Sequence, residues 1–202
     1  MSELTKYEKL VKLQPVDFVP EIQLYLCDTA HHIVYPDRYP CWAYAWVGGK
    51  ALARYILDHP ELVEGKTIID MAAGSGIAAI AAKMAGAARV IAVDDYTPSI
   101  EIMQLNAEAN GVEIELVQQS VFDYAPSHAY DLFIMGDPFY NDDLFSYVEN
   151  NFKPALVGCP LRSHTLYYNF YVKNPIHTYT IESPPGYDDY LEFDTHIWWL
   201  SA

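Results

Sequence analysis

The stretch Thr67-Ile-Ile-Asp-Met-Ala-Ala-Gly-Ser-Gly-Ile-Ala-Ala-Ile-Ala-Ala-Lys83 decides the fold. Its first five residues form an apolar run with one acid, short enough for a strand buried on both faces. Residues 70–76, Asp-Met-Ala-Ala-Gly-Ser-Gly, are small and glycine-rich, so a ligand can approach the backbone closely there. From Ile77 the composition turns to alanine, and a helix is expected over 77–85, ended by Gly86. A helix that opens on a glycine loop turns free N–H groups toward a ligand. Strand, loop and helix in this order form a nucleotide or nucleoside pocket at the carboxyl end of a parallel sheet.

Downstream the same alternation continues. Residues 89–93, 113–117, 131–135 and 154–158 read as further buried strands, and residues 98–110 and 142–150 as helices, the first stopped by Gly111. Such alternation implies right-handed crossovers. The tail differs: residues 177–181 and 193–199 are β-type runs separated by Pro184-Pro185-Gly186, a pair expected to lie antiparallel at a sheet edge. Upstream, residues 20–26 begin with Pro and space Ile22, Leu24 and Leu26 as a short helix would. In residues 42–58, Trp46, Leu52, Tyr55 and Ile56 share a helical face, and Pro60 stops the helix. The expected architecture is a single α/β domain over 1–202. Residues 1–60 form an N-terminal helical preface. Residues 66–202 form a doubly wound, seven-strand Rossmann-like core, mostly parallel with an antiparallel C-terminal strand and helices on both faces.

Twenty-seven acidic and 12 basic residues leave a formal charge of −15 on 202 residues, while 51% of the chain is apolar, so it folds rather than remaining disordered. That charge opposes nucleic acid and anionic lipid, which are bound through Lys and Arg. No window nears the ~20 apolar residues of a membrane span. Three cysteines, Cys27, Cys41 and Cys159, stand at no metal-like spacing and read as small buried residues in a reducing compartment. The seven histidines likewise show no metal spacing, so no metal is expected. The first 14 residues carry neither a secretory nor a transit pattern, so the expectation is cytoplasmic.

Gly74-Ser-Gly76-Ile-Ala-Ala79 also satisfies the dinucleotide pattern G-x-G-x-x-A, with Asp94 at a ribose-binding distance along the chain. Asp70 separates the two readings. A carboxylate at the end of the first core strand repels a pyrophosphate and suits S-adenosylmethionine, which carries a sulfonium and an ammonium and no phosphate. Ser120, Val121, Phe122 and Asp123 follow the third core strand, where an adenine would lie. Gly136-Asp137-Pro138-Phe139-Tyr140-Asn141 ends the fourth, where an acid and two aromatics can hold a nucleophilic nitrogen. Methyl transfer needs positioning and removal of a proton from an ammonium, and Asp137 is the candidate for both. Between Arg89 and Lys153 there is no Lys or Arg, so the base-free stretch runs from the ribose-binding strand through the turn at Asp137 and points to a cationic acceptor.

Further motifs are Pro20-Glu-Ile-x-Leu24, Trp42-Ala-x-x-Trp46-x-Gly48-Gly49-x-x-Leu52-Ala-Arg54, Ile80-Ala-Ala-Lys83, Leu105-Asn-Ala-Glu-Ala-Asn-Gly111 and Gly136-Asp137-x-Phe139-Tyr140. Together with the glycine loop they make the chain, over roughly residues 20–200, resemble the class I S-adenosylmethionine-dependent methyltransferases. Within these it resembles the electron-transfer-flavoprotein β-subunit lysine methyltransferases and their nicotinamide N-methylase-like relatives. The resemblance implies that Asp70, Ala72, Gly74 and Gly76 line the methionine part of the cofactor and that Asp94 binds the ribose. It implies that Val121 and Phe122 flank adenine, that Trp42, Trp46 and Gly49 close the pocket, and that Asp137 and Tyr140 face the target amine. Two departures stand out: Tyr96 replaces a second Asp, and Gly158-Cys159-Pro160-Leu161-Arg162 stands for Gly-Asp-Pro-x-Arg at a strand end bordering the acceptor site. The leading function is N-methylation of a protein lysine. The alternatives are methylation of a small or planar nitrogen, suggested by Asp137-Pro-Phe-Tyr140, a silent cofactor-binding module, and a dehydrogenase. A second acidic and aromatic stretch, Tyr187-Asp-Asp-Tyr190, is a candidate substrate-facing lip.

Overall fold

The computed structural model describes residues 7, 9–27, 40–127, 129–138, 142–161, 174–183 and 192–201. Tyr140, residues 184–186 and the 187–190 lip lie outside them.

Four core strands are buried along almost their whole length: β3 (Thr67–Met71), β4 (Arg89–Asp94), β6 (Leu132–Gly136) and β7 (Ala155–Pro160). Strands that are apolar on both sides must be covered on both faces, which is why helices pack above and below. The sheet order is β5-β4-β3-β6-β7-β9-β8, where β5 is Glu115–Gln118, β8 is His177–Glu182 and β9 is Glu192–Leu200. Strands β3 to β7 pair in parallel, β9 pairs antiparallel with β7, and β8 pairs antiparallel with β9. The expected mostly parallel seven-strand sheet is therefore present, with β9 as the reversed strand. Order reverses between β3 and β6, and a doubly wound sheet opens its crevice at that point, on the carboxyl side.

Alternation along the strands divides the core. Ile68, Leu132, Ile134 and Leu156 face α1 (Val47–Asp58) and α2 (Ile77–Met84). Ile69, Met71, Phe133, Met135 and Val157 face the other way, toward Leu144, Val148 and Phe152 in and just after α4 (Asp142–Asn151). Helix α3 (Thr97–Ala109) sends Met103 into the first core and Ile102 into a third cluster with Tyr7, Trp42 and Tyr44.

The preface departs from expectation. Residues 20–26 are not helical: they belong to β2 (Val19–Cys27), paired antiparallel with β1 (Val11–Val16). Ile22, Leu24 and Leu26 are buried at every second position, and a period of two belongs to a strand. Pro20 stands next to the strand's first residue, where a strand tolerates it, instead of opening a helix. The second expected helix is present as α1, preceded by a 3-10 turn at Cys41–Ala43.

The first turn of α1 rests on the sheet with no side chains between them. Gly136 and Gly158 occupy the strand positions beneath it, and a Cβ built on Gly136 would stand 2.8 Å from Gly49 Cα. A Cβ on Gly48 would stand 2.5 Å from the Gly158 carbonyl oxygen and 2.7 Å from Asp137 N. These neighbours are backbone and cannot rotate away. Gly48→Ala is therefore expected to destabilise the chain by about 1–3 kcal/mol. Gly49→Ala, whose Cβ would meet only the Ile77 side chain at 3.0 Å, should cost less. Urea midpoints of the two variants check the order.

Candidate active site

At the carboxyl ends of β3, β4 and β6, a cavity of about 580 Å³ opens between the glycine loop, the start of α1 and the residues after β5. That volume falls within the range of small-molecule pockets.

Asp70, next to last in β3, lines the cavity at 2% exposure, with Ala79 N–H donating to its Oδ2 at 3.1 Å. Burial pushes its carboxyl up to about 8, the charge of Asp94 adds to the rise, and the Ala79 bond opposes it. Beyond Asp70 the loop turns through left-handed residues, Ala72 at φ 55° and Gly74 at φ 55°. Both line the cavity, as do Ser75 and Ala73. Gly76, at φ 80°, is not a lining residue: it caps α2 from behind the loop, where a Cβ would lie 2.9 Å from Met103 Cγ. Its left-handed φ and its contact with Met103 both favour glycine at this position.

Asp94 ends β4 and is held by the backbone. Gly74 N–H donates to Oδ2 at 2.9 Å and Tyr96 N–H to Oδ1 at 3.0 Å. Burial raises its pKa, opposed by these bonds and by one from Ser99. Tyr96 holds Asp94 through its N–H, a role that any residue but proline fills, and its side chain also lines the cavity. After β5, Val121 is buried in the wall. Phe122 is exposed at the mouth and tilts against Tyr147, ring centroids 5.2 Å apart, while Tyr147 Oη donates to the Phe122 carbonyl at 2.9 Å. Across the cavity, Trp42, Trp46 and Gly49 form the wall that the sequence predicts. Trp42 is fully buried edge-on to Tyr7, and Trp46 Nε1 donates to the Cys41 carbonyl at 2.9 Å.

Asp137 follows β6 in the left-handed region, φ 53°, and lines the cavity at 8% exposure. Gly48 N–H donates to its Oδ2 at 2.6 Å, and its own N–H donates to the Gly158 carbonyl at 2.8 Å. The candidate catalytic carboxylate thus also caps the first turn of α1, where the helix dipole favours an anion. A link to Gly48, 89 positions away in sequence, has no local signature. Other lining residues missed from sequence are Ser99, Leu144 and Cys41. Cys41 is exposed, against its expected burial, whereas Cys27 and Cys159 are buried.

Four aspartates, Asp70, Asp94, Asp95 and Asp137, line this cavity, and among the described lining residues there is no Lys, Arg or His. Asp70 keeps its proton up to about pH 8 in the cofactor-free protein, so the absence of any described cation in the lining, together with the other three acids, is what makes a pyrophosphate unsuited to it. A ligand with a sulfonium and an ammonium suits it, and backbone-oriented Asp94 suits a ribose.

The strand order, the reversed β9 and a glycine loop between acid-ended strands define a class I S-adenosylmethionine-dependent methyltransferase. The family model of the ribosomal protein L11 methyltransferases (PrmA) matches residues 51–135. The rat electron transfer flavoprotein beta subunit lysine methyltransferase is 31% identical over 198 residues, covering 89% of this chain and 76% of the relative. Its Xenopus laevis counterpart is 30% identical over 89% of this chain and 79% of the relative. The chain belongs to this electron transfer flavoprotein beta subunit lysine methyltransferase family, and its cofactor is S-adenosylmethionine. The fold is shared with the ribosomal protein L11 methylase of Lactobacillus delbrueckii, TM-score 0.53 at 20% identity, covering 73% of this chain and 76% of that one.

The buried Asp70 carries a pH signature. An unfolded Asp titrates near ~3.9, so between about pH 4 and 8 the folded chain holds a proton that the unfolded chain has released. The resulting stability is complete below that lower value and is lost as pH rises through the upper one. Asp70→Asn, free of this loss, should gain on the parent chain by up to about 1.4 kcal/mol per pH unit from pH 5 to 8. Urea titrations of the cofactor-free proteins at several pH values measure the difference.

Proposed function

We propose that this chain methylates a lysine side chain of a protein, working in the cytoplasm. The observation that carries the reading is the acid-only lining of the cavity, with Asp137 held rigidly beside the start of α1. The names of its relatives, which act on the lysine of a protein, support it.

Bound S-adenosylmethionine supplies an electrophilic methyl group on a sulfonium. Asp94, oriented by two backbone N–H groups, receives ribose hydroxyls, and Val121 and Phe122 receive the adenine. Trp42 and Trp46 exclude water from the opposite wall. An incoming lysine is an ammonium. Asp137 draws and orients it, and the carboxylate accepts its proton so that the nitrogen lone pair can face the methyl group. Gly48 N–H holds Oδ2 of that carboxylate, so its plane is set before the acceptor enters.

Charge placement supports a cationic acceptor. Acids stand at both ends of the parallel strands, but at the carboxyl ends Asp94, Asp95 and Asp137 line the cavity and no described Lys, Arg or His lines it with them. Cations are drawn to the end that bears the cavity.

Asp137→Asn should abolish transfer while S-adenosylmethionine affinity stays within a few-fold, because an amide oxygen still accepts from Gly48. Incubation with methyl-labelled cofactor and cell extract, separated into protein and acid-soluble fractions, gives the readout. Label in protein hydrolysing to methyl-lysine is the expected result. Label confined to small molecules, or undiminished turnover by Asp137→Asn, refutes the assignment.

A further inference from the structure

Helix α3 directs two asparagines, one turn apart, at the N-terminal hairpin. Asn110 meets β2 as a neighbouring strand would: Gln23 N–H donates to its Oδ1 at 2.9 Å, and its Nδ2 donates to the Gln23 carbonyl at 2.6 Å. Asn106, fully buried, begins in the same way, accepting from Tyr25 N–H at 2.7 Å. Its Nδ2, however, leaves the hairpin and donates to the carbonyl oxygen of Ser75 in the glycine loop at 2.8 Å. One partner can only donate and the other can only accept, so the amide has a single satisfactory orientation.

Met103, one turn earlier on α3, fills the space over Gly76 that a Cβ would need. The Ser75–Gly76 peptide is therefore gripped from behind by α3 at two adjoining points. On its other side Gly74 and Ser75 line the cavity, and Gly74 N–H holds Asp94. Asn106 is not itself a lining residue. Hairpin, Asn106, loop carbonyl, Gly74 and Asp94 make one continuous run of hydrogen bonds and peptide planes ending at the ribose-binding carboxylate.

We propose that Asn106 is a positioning residue for the cofactor, setting the tilt of the Ser75–Gly76 peptide and, through it, the loop surface against which S-adenosylmethionine packs. The inference rests on the assignment of this cavity to that cofactor. It gives the 105–111 motif two separable duties: Asn110 docks the hairpin, and Asn106 docks the hairpin and aims the loop. An aspartate at 106 keeps the Tyr25 bond but sets an oxygen against the Ser75 carbonyl, so the loop end of the clamp is broken with little change in volume.

The test compares Asn106→Asp with Asn110→Asp by calorimetric titration with S-adenosylmethionine. Asn106→Asp should weaken binding by about ten- to a hundredfold, and Asn110→Asp, which loses its donor bond to the hairpin, by less than about twofold. At saturating cofactor, kcat of Asn106→Asp should stay within a few-fold of the parent while KM for the cofactor rises. Equal affinities for Asn106→Asp and the parent, or equal losses in the two variants, overturn the proposal. If Asn106→Asp does not fold, the parent protein answers by nitrogen-resolved NMR. On addition of S-adenosylhomocysteine the Asn106 side-chain amide should shift together with the Gly74 and Ser75 amides, while that of Asn110 stays in place. An unmoved Asn106 amide refutes the proposal. Failure of the parent to bind either compound would instead remove the cofactor assignment on which it rests.

Discussion

Everything at the carboxyl end of the sheet depends on the direct contact between the first turn of α1 and the backbone of β6 and β7. Gly48 and Gly49 above, with Gly136 and Gly158 below, let main chain meet main chain. The same approach brings Gly48 N–H to Asp137 and Gly49 to the cavity wall. A helix carried one side-chain layer higher would leave Asp137 uncapped and draw Trp46, at the N-cap of α1, away from the cavity. Here packing and chemistry use the same few atoms, so stability and function cannot be altered separately at these positions.

The core strands were legible because burial on both faces leaves a run of apolar residues with no competing explanation. Thr67–Met71, Arg89–Asp94 and Leu132–Gly136 all fall within a residue of where the pattern puts them. The preface was misread where two local signals conflicted: Pro20 suggests a helix start, while Ile22, Leu24 and Leu26 have the period of a strand. The period prevailed because β1 pairs with β2 across a two-residue turn, and Asn106 and Asn110, 81 and 87 positions from their partners, bond its other edge.

The site was legible to a similar degree. Asp70, Asp94 and Asp137 end strands in sequence and meet at one cavity in space, since parallel strands bring their carboxyl ends together. What the sequence could not yield were bonds between a side chain and a backbone group far away in sequence: Asp137 with Gly48, and Asn106 with Ser75. Neither changes a composition or a spacing. At Gly76 a left-handed backbone and the nearby Met103 side chain both call for glycine, and only the first of these is suggested by the loop motif.

The acids that line the cavity, with no Lys, Arg or His among the described lining residues, focus negative potential at one place on a molecule that is anionic overall. A net charge of −15 attracts a cationic partner from any side, and the focused field makes the cavity mouth the strongest part of that attraction. Encounter is then biased in orientation before any surface touches. That bias extends only as far as about 8 Å at physiological ionic strength, so the last stage of approach is the one it governs.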